Sequence, residues 1–152
     1  MAVAERTLSI SEVSARTGLS AYTLRFYERE GLFVQPVRRN SAGRRVFTSQ
    51  EVEWLRVCSK FRDTGMSLPD IRRYVELVRE GPGNEEERFA LLRNHEQKVR
   101  SRVEELQQAH EVIEAKVALY ARHLAAGSAD GLWRNGPECT VPEDAQDPPA
   151  SA

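Results

Sequence analysis

The chain has 152 residues, 40% hydrophobic and 30% charged, with a net charge of −1, which suits one ordinary domain, or a small domain with an extended appendage, rather than two full cores. No apolar run approaches the roughly 18 residues of a membrane span, and the N-terminal MAVAERTLSISEV lacks the apolar block of a signal peptide, so the sequence reads as cytoplasmic. Two distant cysteines, Cys58 and Cys139, form no CxxC pair, which excludes a disulfide framework and a Cys-rich zinc site.

The charge is unevenly placed. Residues 1–81 hold 14 basic and 10 acidic residues, a net +4, while residues 82–152 hold 8 and 13, a net −5. The first part is the one able to dock on phosphates.

In chain order, Ser9 and Ser11 stand at the start of a short helix with Ile10 and Val13 at helical spacing, stopped by Gly18. Ser20 caps a second helix, Ala21 to Glu30, ended by Gly31. Two short helices joined by Gly-Leu-Ser are a helix-turn-helix pattern, whose second helix enters the major groove. That helix carries Tyr22, Thr23, Arg25, Tyr27 and Arg29, with Leu24 placed to face the first helix. Arginine offers forked donors to phosphate or guanine, and tyrosine joins a hydroxyl to a flat face that lies along a sugar. Taken alone, the same pattern also fits a solvated helix with one buried tyrosine.

Residues 37–48 read as a β-hairpin turning at Asn40-Ser41-Ala42-Gly43, with Arg38, Arg39, Arg44 and Arg45 around its tip. So much positive charge on an exposed hairpin points to an anionic partner and a wing on the DNA backbone, the alternative being a merely soluble loop. Thr48 and Ser49 open a third helix to Thr64, with Glu51 in capping-box spacing and Val52, Trp54, Leu55, Val57, Cys58 and Phe61 as a buried stripe. Ser67 caps a fourth, with Pro69 in its first turn, running through Ile71, Tyr74, Val75, Leu77 and Val78 to Gly81-Pro82-Gly83.

Residues 84–124 contain neither Gly nor Pro and keep one period: Phe89, Leu92, Val99, Val103, Leu106, Ile113, Val117, Tyr120 and Leu124 alternate at spacings of three and four, with Glu96 and His110 as the polar members. This is a coiled-coil seam on a helix of about 60 Å, too long for the small N-terminal core to cover, so it is expected to pair with another chain. Glu96 and His110 read as register or edge positions. Beyond Ala125 the chain is rich in Gly, Pro and acidic residues; it is expected to lack stable structure past about residue 140, with Leu132-Trp133 an apolar pair placed to fold back on a partner subunit. The expected organisation is mainly α: a winged helix-turn-helix DNA-binding domain over 1–81, a coiled-coil dimerisation helix over 82–124 and a tail over 125–152.

The strings SISEVSARTGLSAYTLRFYEREGL, NSAGRRVFT and FRDTGMSLPDIRRYVELVREG, in this order and followed by the long helix, resemble the MerR family of bacterial regulators over about residues 8–124. The resemblance implies a homodimer with antiparallel long helices, one reading head over each half of a palindromic promoter element. It implies activation by bending and untwisting an overlong promoter spacer so that RNA polymerase engages both hexamers, an indirect partnership read through DNA shape. Arg25 and Tyr27 match family positions on the DNA backbone, Tyr22 a major-groove position, and Arg45 with Arg44 and Arg38 or Arg39 the wing contacts.

No effector follows from these residues. One late cysteine, Cys139, builds no closed soft-metal or iron–sulfur site, and no sizeable C-terminal ligand domain is expected after the helix. The segments FRDTGMS, EERFALLRNHEQKV and AKVALY look most like the aldehyde- and thiol-stress branch, yet Lys60 stands where that branch has its cysteine. Cys58, two positions earlier and turned by about 200°, reads as a core residue. His110-Glu111-Val112-Ile113-Glu114 is only HExxE, and no P-loop, GxGxxG or serine elbow is present, so no catalysis, cofactor or metal is expected. The alternative to an activator is a constitutive repressor or architectural DNA-binding protein without an effector switch.

Overall fold

The structure is a computed structural model and describes residues 5–134 and 136. Its elements run β1 (Leu8–Ser9), α1 (Ile10–Thr17), α2 (Ala21–Arg29), β2 (Arg38–Arg39), β3 (Arg45–Phe47), α3 (Ser49–Asp63), α4 (Leu68–Glu80), α5 (Glu85–Ala126) and a short 3-10 turn, Ala129–Gly131. One compact unit ends at Gln97 and a second begins at Lys98. No described helix is long and apolar enough to cross a membrane. Cys139 and the tail beyond Gly136 lie outside the described residues.

The starts of α1 to α4 are each fixed by a side chain. Ser9 and Thr48 form capping boxes with Glu12 and Glu51, and the hydroxyls of Ser20 and Ser67 accept from the backbone N–H groups of Thr23 and Asp70. Such caps satisfy donors that would otherwise be orphaned, each worth about 1 kcal/mol. The turn between α1 and α2 is held from α1: the Ser14 hydroxyl donates to the Leu19 carbonyl at 2.6 Å, and Gly18, at φ 75, takes the left-handed conformation a side chain would resist.

The sheet has three antiparallel strands in the order β1-β3-β2, with Leu8 opposite Phe47 and Arg38 opposite Val46. Strand β1 is absent from the sequence reading, since two residues carry no alternating pattern; it matters because it anchors the wing to the start of α1. Beneath lies a core of Leu8, Val13, Leu24, Leu32, Phe33, Phe47, Val52, Leu55, Cys58, Met66, Ile71 and Val75. Leu32 and Phe33, in the loop after α2, belong to it although no periodicity marks them. Val57 does not: it is 44% exposed, so the buried stripe of α3 is narrower than the sequence suggested.

Phe61 packs edge-on against Trp54, Tyr74 and His95, and Trp54 stacks on Tyr74 at 5.7 Å, joining α3, α4 and the first turns of α5. The Thr64 hydroxyl meets His95 Nε2 at 2.8 Å and Leu91 packs on the core, so this unit includes the start of α5. No residue of α5 is buried. In the second unit, Val103, Leu106, Ile113, Val117 and Leu124 are exposed, while Val99 and Tyr120 are half-covered. The helix ends at Ala126, where Gly127 turns left-handed and His123 Nδ1 meets the Ser128 hydroxyl at 2.9 Å. Trp133, beyond the helix end, lies over Lys116 of α5, 4.9 Å from ring centre to ammonium.

Candidate nucleic-acid interface

Helix α2 presents two faces of opposite character. Leu24 and Tyr27 are buried, and Tyr22, Arg25 and Arg29, spaced by three and four residues, form an exposed stripe. Tyr22 is 72% exposed, an aromatic ring with no cover. Thr23 is half-buried, its hydroxyl 2.9 Å from that of Ser20, so it serves the N-cap. Tyr27 departs from the sequence expectation. Its ring sits in the core at 5% exposure, where burial raises its pKa, and it has no flat face left to lie along a sugar.

The wing is organised by one asparagine. Asn40 Oδ1 accepts from the backbone N–H of Ala42 and of Arg44, both at 3.0 Å, while Asn40 and Arg44 close the ladder through their backbones at 2.9 Å. Gly43, at φ 74, makes the turn. Arg38, Arg39 and Arg44 are exposed; Arg39 Nη1 also donates to the Gly43 carbonyl at 3.1 Å. Arg45 is half-buried, and its Nε donates to the Glu28 carboxylate on α2. Among the described residues Arg25, Arg38 and Arg44 meet no carboxylate within ion-pair distance, so the first unit displays cations on α2 and on the wing without internal neutralisation.

The loop that joins these two elements is fixed from behind. Five consecutive carbonyls, residues 30–34, each receive a side-chain donor from α3 or α4. Arg72 Nε reaches Glu30 at 3.0 Å, Trp54 Nε1 reaches Leu32 at 2.6 Å, and Arg79 reaches Gly31 at 3.4 Å, Val34 at 2.8 Å and Phe33. Arg72 also pairs with the Glu30 carboxylate at 2.9 Å. A stretch of five carbonyls satisfied in turn by side chains is held nearly as firmly as a regular element. Trp54, Arg72 and Arg79 are thus positioning groups that sequence reasoning missed, because their partners lie 22 to 48 residues away.

Cys58 is fully buried, and burial pushes its thiol up from 9.0 to about 11, with Arg62 pulling weakly the other way. A thiol so placed is protonated at neutral pH, and only the thiolate is a nucleophile or metal ligand.

Comparison with known proteins gives one consistent result. A family model described as MerR HTH family regulatory protein matches residues 8–77, and a second, described as MerR, DNA binding, matches residues 52–116. An uncharacterized HTH-type transcriptional regulator of Haemophilus influenzae is 38% identical over 126 residues, 83% of this chain and 93% of that protein. The HTH-type transcriptional regulator AdhR of Bacillus subtilis is 33% identical over 60% of this chain and 65% of its own. Among solved structures, HiNmlR, described as a MerR family regulator lacking the sensor domain and bound to promoter DNA, superposes with a TM-score of 0.77 at 36% identity, covering 89% of this chain and 100% of its own. A putative MerR family regulator from Listeria monocytogenes gives 0.74 at 32%, covering 81% and 92%.

Proposed function

The chain belongs to the MerR family of DNA-binding transcriptional regulators, and from that premise we propose that it binds a palindromic promoter spacer as a homodimer and activates by bending and untwisting it. The observation that carries this reading is the un-neutralised cation set, Arg25 on α2 with Arg38 and Arg44 on the wing, displayed beside the exposed Tyr22. Phosphates are the partners that such a surface fits, with α2 in the major groove and the wing on the flanking backbone. Arg39 adds a wing contact beyond its bond to Gly43. The protein works in the cytoplasm, where its DNA lies, and meets RNA polymerase through the promoter.

The second copy pairs along Phe89, Leu92, Val99, Val103, Leu106, Ile113, Val117, Tyr120 and Leu124, since the exposed members of this series otherwise stand in water. The polar seam positions support an antiparallel arrangement. Glu96 and His110 stand seven residues either side of Val103. Antiparallel helices centred there bring each Glu96 within about one turn of His110 on the second copy, while parallel helices in register face glutamate with glutamate.

A second reading, a constitutive repressor or architectural protein without an effector switch, is favoured by the likeness to HiNmlR, described as lacking the sensor domain, and by the protonated, packed state of Cys58. The two are separated by transcription in vitro from the promoter footprinted upstream of the protein's own gene. Deleting one or two base pairs from its spacer rotates the hexamers by roughly 35° per base pair. If the protein acts by untwisting, the shortened promoter fires without it. A shortened promoter that stays silent while the protein occupies it makes the repressor the better reading.

A further inference from the structure

Of the four wing arginines, Arg45 alone meets a carboxylate among the described residues, and that carboxylate belongs to the recognition helix α2. We propose that Arg45 is a positioning residue rather than a phosphate ligand: with Glu28 it forms a clasp that sets the distance and angle between wing and recognition helix. The proposal rests on the DNA-binding reading above and assigns Glu28 a role in it.

The case begins with how little else holds the wing. Strands β2 and β3 share two registered pairs, Arg38 with Val46 and Arg39 with Arg45, and a two-stranded ribbon of that length is not stable by itself. On its other edge β3 has two more pairs, with β1, which fasten its Val46–Phe47 end to the start of α1. The Arg45 end, toward the tip, has only β2. Arg45 is the first strand residue after the exposed turn, and its guanidinium crosses to Glu28, near the C-terminal end of α2. Both side chains are about three-quarters covered, at 26% and 27% exposure, so water screens the pair less than it screens an open surface pair. The position therefore has the geometry of a brace: one end on the strand that carries the tip, the other on the helix that reads the groove.

Charge leads to the same place. A guanidinium neutralised by a carboxylate releases no counterion when DNA arrives unless that bond breaks, so Arg45 adds nothing to the salt dependence of binding. Arg38, Arg39 and Arg44 carry the wing's phosphate attraction, and Arg45 carries its placement.

The two roles predict opposite signs for one substitution. As a brace, Glu28→Gln frees the wing and weakens binding to the footprinted promoter fragment by about tenfold, with the slope of log K against log salt unchanged. As a counterion merely holding a phosphate ligand in reserve, Glu28→Gln liberates Arg45, so that binding tightens and the slope steepens by about 0.9. Arg45→Gln should match Glu28→Gln, and the exchanged pair Glu28→Arg with Arg45→Glu should recover affinity to within about threefold of the wild type. Tighter binding by Glu28→Gln, a slope reduced by about 0.9 in Arg45→Gln, or an exchanged pair no better than the singles overturns the proposal. The clasp is also readable without DNA: amide exchange over residues 38–47 should rise in folded Glu28→Gln. Unchanged exchange there overturns the clasp even if the wild-type protein fails to bind the fragment, a failure that would instead remove the DNA reading.

Discussion

Up to Glu80 the chain covers what it makes: on α1 to α4 the exposed large apolar side chains are Tyr22 and Val57, and four helix starts, a turn and a loop are each tied by a named side chain. From Lys98 onward the pattern inverts, with Val103, Leu106, Ile113, Val117, Leu124 and Trp133 exposed and nothing on α5 buried. The difference separates two kinds of sequence information. Helices α1 to α4 and the wing largely satisfy themselves, so their exposed groups are informative by exception, and Tyr22 with the arginines of α2 and the wing are those that share one chemistry. The second unit leaves its apolar series uncovered by its own residues, and an amphipathic helix gains most of its stability from packing such a face.

The strongest way to break this contrast is to remove what the second unit is proposed to pair with. Leu106→Asp puts a carboxylate into the seam, where its burial without a partner is costly. The expected result is a monomer at micromolar concentration, with promoter affinity reduced by about 100-fold or more because the two heads are no longer linked, and with helix content falling while the near-ultraviolet signal of Trp54 persists. A variant that sediments as a dimer shows that the exposed series is not the pairing surface.

A smaller effect tests the self-sufficiency of the first unit. Arg79→Met keeps most of the aliphatic stem but removes the donors to Gly31, Phe33 and Val34. Lost bonds to these carbonyls cost on the order of 1–2 kcal/mol, which lowers the thermal midpoint by roughly 4–16 °C for a unit of this size. Promoter binding should also weaken, since the loop joins recognition helix and wing. An unchanged midpoint makes these bonds ornamental, and the loop is then held by Leu32 and Phe33 alone.

The pins on that loop also show where sequence reading stops. Helices α1 to α5, their caps and the Asn40-Gly43 turn were legible because each is announced within a few residues: Thr48 with Glu51, Ser67 with Pro69, the three-and-four spacing after Asn84. The groups that place the helices against one another are announced by nothing local. Trp54 finds Leu32 across 22 residues, Arg72 finds Glu30 across 42 and Arg79 finds Phe33 across 46, and an arginine on a helix looks the same whether it faces water or a carbonyl. Tyr27 and Arg45 carry the same lesson at the site itself. Both have residue types suited to phosphate, yet one belongs to the core and the other to Glu28.

The smallest expected effect concerns how completely the first unit is closed, and Cys58 reports it. Folded, its thiol keeps a proton to about pH 11; released from burial, it loses that proton near 9.0. Below pH 9 both states are protonated and the thiol leaves stability independent of pH. Between pH 9 and 11 only the unfolded state deprotonates, so stability falls, at most by roughly 1.4 kcal/mol per pH unit. Tyr27 is shifted in the same direction from 10.0, so a second decline sets in above pH 10. Urea unfolding at pH 8, 9 and 10 should therefore show a loss in the wild type that Cys58→Ala lacks, while the variant starts about 1 kcal/mol lower from the vacated sulfur volume. Over the same range, iodoacetamide followed by mass spectrometry of the Cys58 peptide should label the folded protein far more slowly than the unfolded chain. Parallel pH profiles for the two proteins, or labelling of Cys58 at the rate of an unfolded thiol at pH 8, mean that α3 opens to solvent; the contrast with the second unit would then be one of degree.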